Sequence, residues 1–247
     1  MKDIKILYEN ADFAAVFKPA GISTHPDGKN EEYTMSDFAR EKFKVGDDVG
    51  EPMELSDGTQ ISRPGIVHRL DKPTSGVLLL AKTKEGYDAL KKQFKSRSIK
   101  KTYFAFTNGV PKDERGSIDF PIARALGSVR KWTAGKDARG ELREAHTRYK
   151  VLGSKDGVAL LILWPLTGRT HQIRVHLKAI GHPIISDVLY APVKKPVFGL
   201  KRLALHAGRL IFKDMKGKET VVLAPFPEDF KGAISKVGLK ADDLLNS

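Results

Sequence analysis

The sequence predicts an α+β fold built around a mostly antiparallel sheet. Strand-like runs, rich in β-branched and aromatic residues and bounded by Gly, Pro, Asn or Asp, outnumber helical patterns. No regular alternation of strand and helix marks the βαβ units of a parallel sheet. With 247 residues, 40% of them hydrophobic, the chain can bury a sizeable core.

The elements follow in order. Residues 13–17 form the first strand run, and residues 34–43 offer a short helix. The polar, Gly- and Asp-rich stretch 46–62 is the candidate mobile loop. An uninterrupted apolar run at 77–81 reads as a buried strand. Residues 84–96 then place Tyr87, Leu90 and Phe94 at helical spacing, with Lys91, Lys92 and Lys95 on the other face. Strands are expected at 103–107, 146–151 and 158–164, and LGSKDG between the last two reads as a hairpin turn. Residues 170–180 put Ile173, Leu177 and Ile180 on one helical face, and Gly181 is placed to end it. Strands at 203–212 and 220–224 and a helix at 229–237 complete the chain. No internal repeat or low-complexity linker divides it, so 1–247 is expected to be one domain.

Charge narrows the function. The net charge of +13 points to a polyanionic partner. Residues 30–60 are acidic, whereas Lys and Arg gather at Lys91, Lys92, Lys95, Arg97, Lys100 and Lys101, and again at Arg124, Arg130, Lys131, Lys136, Arg139 and Arg143. Two such clusters suggest a face that tracks RNA; a single one would read as a solvated surface. The absence of Cys excludes disulfides, thiolate metal sites and a Cys nucleophile. The first residues lack the apolar core of a signal peptide, and no stretch approaches the length of a membrane span. A cytoplasmic protein with no membrane partner is expected.

The most informative stretch is GIVHRLDKPTSGVLLLAKT, residues 65–83. It sets the carboxylate of Asp71 among His68, Arg69, Lys72, Thr74 and Ser75, just before the buried strand. This reads as a loop delivering side chains to a site at the mouth of that strand. The plain alternative is a turn in which Asp71 caps the backbone or pairs with Arg69.

The residues also carry a resemblance. HRLDKPTSG resembles the central signature of the RluA-type RNA pseudouridine synthases. PLTGRTHQIRVHLKAIGHPIISDVLY (165–190) is similar to that family's downstream motif, FKPAGISTHPD (17–27) to its opening strand and loop, and KKTYFAF (100–106) to its Tyr-bearing motif. The blocks come in the family's order and span most of residues 12–210. The resemblance implies the family's mixed central sheet with flanking helices and loops. Members often carry a small basic RNA-binding domain ahead of the catalytic one. Here the motifs begin almost at residue 10, so a catalytic domain without that appendage is expected.

The resemblance also implies a reaction. Conversion of uridine to pseudouridine breaks the N1–C1′ bond, turns the base, and joins C5 to C1′. It is atom-neutral, so no cofactor and no metal is expected, and the partner is ribosomal or transfer RNA met by a monomer. Asp71 is then the catalytic carboxylate, which either forms a covalent adduct or stabilises positive charge. Arg174 is implied as its partner, a rigid fork that orients it. Tyr103 can pack on the uracil and move a proton at C5. Ile173 is implied as an apolar wall against the base. Arg69, Lys72, Arg169 and His171 suit phosphates, and His68 and Thr74 join them as substrate-binding candidates.

Rival readings fare worse. HRLD resembles a protein-kinase catalytic loop, but the Gly-rich loop and Asp-Phe-Gly that such a loop needs are missing. The seven His residues form no His-Glu-x-x-His pattern, against a metallohydrolase. A non-catalytic RNA-binding protein of the same fold is the remaining alternative, and the joint presence of Asp71, Tyr103 and Arg174 argues against it.

Overall fold

The computed structural model describes residues 4–28, 31–55, 57–128, 131–135, 138–191 and 196–245. In chain order the elements are β1 (Ile6–Glu9), β2 (Phe13–Lys18), α1 (Met35–Phe43), β3 (Met53–Glu54), β4 (Gln60–Ile61), β5 (Ser75–Ala81), α2 (Lys84–Lys95), β6 (Lys100–Asn108), β7 (Arg115–Ile118) and β8 (Ile122–Ala125). They continue with β9 (Trp132–Thr133), β10 (Ala138–Arg143), β11 (Thr147–Lys155), β12 (Val158–Pro165), α3 (Gln172–Ala179), β13 (Leu205–Lys213), β14 (Glu219–Leu223), α4 (Glu228–Lys236) and α5 (Ala241–Leu244). The chain divides into two compact units, Met1–Lys100 with Arg209–Ala224, and Lys101–Gly208 with Pro225–Ser247.

In the first unit, β2 runs antiparallel between β1 and β5, with Phe13 opposite Ala81 and Val16 opposite Leu78. Every residue of β5 is buried, which is why it reads as a continuous apolar run and not an alternating one. Burying each of its Leu side chains is worth about 1.5–3 kcal/mol. The amphipathic α2 packs on β5 through buried Tyr87 and Leu90. Thr83 Oγ1 caps α2 by accepting the Gly86 N–H, and Thr34 and Asp37 form a reciprocal capping box at α1. Residues Arg209–Lys213 of β13 pair with β14, and Phe212 meets Phe13 edge to face at 5.5 Å.

The stretch 46–62 carries a short antiparallel ribbon, β3 with β4. Residue 56 lies outside the described residues. The stretch is tied at its base, where the Gly65 N–H donates to Val49 O and the Glu51 N–H to Tyr87 Oη. Gly65 has φ +72°, and a Cβ there would lie 2.6 Å from the Ala81 carbonyl. Only glycine lets the chain pass that close to β5 as it enters the HRLD loop.

In the second unit the strand order is β6-β12-β11-β7, all antiparallel, with Phe104 opposite Ile162 and Thr147 opposite Ile118. Ladder pairing between β11 and β12 continues to Lys155–Val158, past a register shift between Val151 and Gly153. The loop expected over 152–157 is therefore a two-residue turn, Asp156 (φ +52°) and Gly157 (φ +73°), the mirror-image geometry that suits strand twist. A small separate sheet, β10-β8-β9, was not foreseen in the sequence. The core centres on Phe104, Phe106, Leu160 and Leu161, closed by Phe226 and Phe230, whose rings stack 5.6 Å apart.

Candidate active site

The first unit carries the Asp71 loop. Asp71 is partly exposed, Arg69 and Lys72 are exposed, and Lys72 is ion-paired with Glu32. The Thr74 N–H donates to the Asp71 carbonyl at 3.0 Å, while the Thr74 side chain is buried at the start of β5. His68 is built into the scaffold. Its Nε2 accepts the Leu79 N–H at 2.9 Å, and its ring stacks on Phe94 at 4.7 Å. An accepting Nε2 fixes the neutral tautomer with the proton on Nδ1.

His25, in the loop after β2, was not singled out in the sequence. Burial pushes its ring down to about 4, the bond from Nδ1 to the Pro26 carbonyl opposes this, and the charges of Arg69 and Arg63 add to it. The signal was present in STHPD, but nothing in the sequence says that this His is buried.

The second unit carries Tyr103 and the helix α3. Tyr103 lies on β6 opposite Leu163, half-buried. Residues 172 to 177 of α3 are all buried, so the helix is not the one-sided amphipath that its sequence suggests. Each of its buried polar residues is matched. Gln172 Oε1 accepts from Thr167 Oγ1 (2.7 Å) and the Arg169 N–H (3.0 Å), and Nε2 donates to the His146 carbonyl and Thr147 Oγ1, both at 3.0 Å. His176 must donate from Nε2 to the Phe120 carbonyl (2.9 Å), so its Nδ1 accepts from Thr147 Oγ1 (2.9 Å). Burial keeps its pKa below the usual value, and the ring is neutral. This network holds loop 166–171, including Arg169, whose Nε donates to the Glu144 carbonyl.

Arg174 is not an exposed helix residue. Its side chain is 3% exposed, and Nε and Nη2 each lie 2.8 Å from an oxygen of Asp187, which is fully buried. The Tyr190 ring lies 5.0 Å from its guanidinium carbon. Within this unit Asp187, inside the quoted SDVLY but unassigned in the sequence, holds Arg174. His171 sits at the N-cap of α3 with φ +56°, an uncommon conformation outside glycine, and its Nδ1 is 2.7 Å from Tyr190 Oη. Ile173 is buried in the core cluster of this unit.

The basic clusters divide. Lys91 pairs with Glu51 at 2.9 Å above the Tyr87 ring, and Lys101 donates to the Thr167 carbonyl at 3.0 Å. Both serve the scaffold. In the small sheet, Arg124 stands directly opposite Arg139 and lies over the Trp132 ring at 5.4 Å. Arg130 and Lys136 lie outside the described residues. Among the described residues no group of His, Asp or Glu is placed to hold a metal, and no helix is long and apolar enough to cross a membrane.

A family model described as RNA pseudouridylate synthase matches residues 12–179, which include Asp71, Tyr103 and Arg174. The chain belongs to this family. It is 35% identical over 235 residues to the ribosomal large subunit pseudouridine synthase D of Zymomonas mobilis, covering 92% of this chain and 71% of that protein. An uncharacterized RNA pseudouridine synthase of Mycobacterium bovis is 34% identical over 238 residues, 95% of this chain and 73% of the relative. The solved structure of human RNA pseudouridylate synthase domain containing 4 superposes with a TM-score of 0.71 at 28% identity, over 95% of this chain and 93% of that one. The protein is an RNA-binding isomerase that forms pseudouridine in structured RNA, on the expected mixed, mostly antiparallel sheet with flanking helices.

Proposed function

We propose that Asp71 is the catalytic carboxylate of this isomerase and that its substrate is a uridine in ribosomal or transfer RNA in the cytoplasm. One observation carries the reading: within the matched region, Asp71 is a partly exposed acid on a loop at the head of a fully buried strand. A carboxylate so placed can meet charge at C1′ while its backbone stays fixed. Tyr103, half-buried on β6, would stack on the base and serve proton movement at C5. Arg174, already held by Asp187 and Tyr190, would orient Asp71.

Substrate contacts follow from charge. Arg69 and Lys72 are exposed beside Asp71, Lys72 in a surface pair with Glu32 that a phosphate can displace, and Arg169 and His171 lie just before α3. They would bind phosphates and position RNA without reading its sequence. Arg124 and Arg139 stand opposite each other on the small sheet with Trp132 beside Arg124, a basic pair with an aromatic neighbour that would meet the phosphate backbone. The target uridine must be unstacked to reach the acid, which costs least in a loop.

The test is a comparison of pseudouridine maps of ribosomal and transfer RNA from cells with the gene, without it, and with an Asp71→Asn copy. At least one site should vanish without the gene and return only with the wild type. Its return with Asp71→Asn would overturn the assignment.

A further inference from the structure

The two residues flanking Asp71 are both clamped through their backbone. On one side, Thr24 Oγ1 donates to the Leu70 carbonyl at 2.8 Å and accepts the Leu70 N–H at 3.1 Å. A single hydroxyl there makes both bonds of a strand-like pair. On the other side, the Lys72 carbonyl accepts the Gly21 N–H at 2.7 Å and Lys18 Nζ at 3.2 Å. Lys18 Nζ also donates to the carbonyls of Ile22 (2.8 Å) and Pro19 (3.1 Å). Thr24 is 3% exposed and Lys18 fully buried. Loop 18–24 therefore grips Leu70 and Lys72, and Asp71 is the residue between them.

Stability alone does not explain this choice of residues. Lys18 ends the apolar strand FAAVFK, where a Leu or Met would extend the core. Taking an ammonium out of water carries a desolvation cost that an apolar side chain of similar volume would not. What the lysine and the threonine supply is directional: fixed donors and an acceptor aimed at the backbone on both sides of one acid.

We propose that Thr24 and Lys18 are positioning residues for Asp71, a role that rests on Asp71 being the catalytic carboxylate. Holding a reacting group in place is worth large factors, and a shift near 1 Å can cost about a hundredfold in rate. The effect is expected in kcat, because the clamp's hydrogen bonds go to the backbone on either side of the acid and leave the Lys72 and Arg69 side chains as they are.

The experiment compares Thr24→Val, which keeps the shape and loses the hydroxyl, with Thr24→Ser, which keeps the hydroxyl. Lys18→Met and Lys18→Arg form a second pair, and Asp71→Asn runs in the same assay on the intact protein with one defined RNA. All are measured below the melting temperature of the least stable variant. Thr24→Val should lower kcat by about tenfold or more with KM for RNA within about twofold, and Thr24→Ser should recover most of the rate. Lys18→Met should show the same split if it folds, and the Thr24 pair decides if it does not. Wild-type kcat in Thr24→Val overturns the clamp, as does a loss carried by KM or shared equally by Thr24→Ser. If Asp71→Asn is active, the reading of Asp71 itself fails. If Asp71→Asn is dead and Thr24→Val is normal, only the clamp fails.

Discussion

Arg174 and Asp187 meet as a two-point ion pair in the interior, Nε to Oδ2 and Nη2 to Oδ1, both at 2.8 Å. Oδ1 also accepts the N–H groups of Leu189 (3.0 Å) and Tyr190 (3.3 Å). The first turn of a helix is a poor place for a lone cation, and this carboxylate offsets that cost. It also fixes the direction of the guanidinium before any RNA arrives.

Asp187→Asn should therefore remove the two-point charge pairing that fixes Arg174 and destabilise the fold, by up to about 3–5 kcal/mol. A denaturant melt checks this. A loss below about 1 kcal/mol would mean that another group of the folded protein compensates Arg174 in the variant.

Arg174→Lys keeps the charge and loses the fork, so it cannot engage Asp187 at two points. A large fall in single-turnover rate is expected, with a smaller change in RNA affinity measured by filter binding. A wild-type rate in the lysine variant would remove Arg174 from the orienting role.

The buried histidines predict a direction for stability against pH. Burial holds His25 at about 4 and His176 below its usual value, whereas both titrate near 6.5 when unfolded. In that window the unfolded chain binds more protons than the folded one, so stability is present above the unfolded value and is lost as pH falls. The slope is up to about 1.4 kcal/mol per pH unit for each fully suppressed histidine. Urea midpoints near pH 7.5 and near pH 5 should fall more for the wild type than for His25→Gln. Equal falls would show that His25 takes no part.

Affinity should rest on the small sheet more than on α2. Removing one charge that neutralises a phosphate lowers the salt dependence of RNA binding by roughly 0.7–0.9 in log–log slope. Arg124→Gln with Arg139→Gln should lower it and weaken target and non-target RNA alike. Lys91→Gln should change it less, because Lys91 is already paired with Glu51. The reverse order would make α2 the RNA-facing element.

Legibility followed the kind of interaction. Strand β5 and helix α2 were readable because burial on both faces, or on one, writes itself into local hydrophobic period. The small sheet was not, since β8 and β10 carry exposed Arg, Glu and Leu with no clean alternation. Asp71, Tyr103 and Arg174 stood out through their motifs. Asp187, Thr24 and Lys18 did not, because their work is done by buried polar atoms that reach residues 13, 46 and 54 positions away. Nor does a sequence show that every residue from 172 to 177 turns inward.

In its proposed role Asp71 performs chemistry and does not hold the fold or the RNA. The most direct measurement is pseudouridine formation by purified Asp71→Asn under single-turnover conditions, alongside its melt and its RNA affinity. A cooperative melt close to wild type, near-normal binding and no detectable product are expected. Product formation by the folded variant, or loss of folding or binding with the rate, would contradict that role.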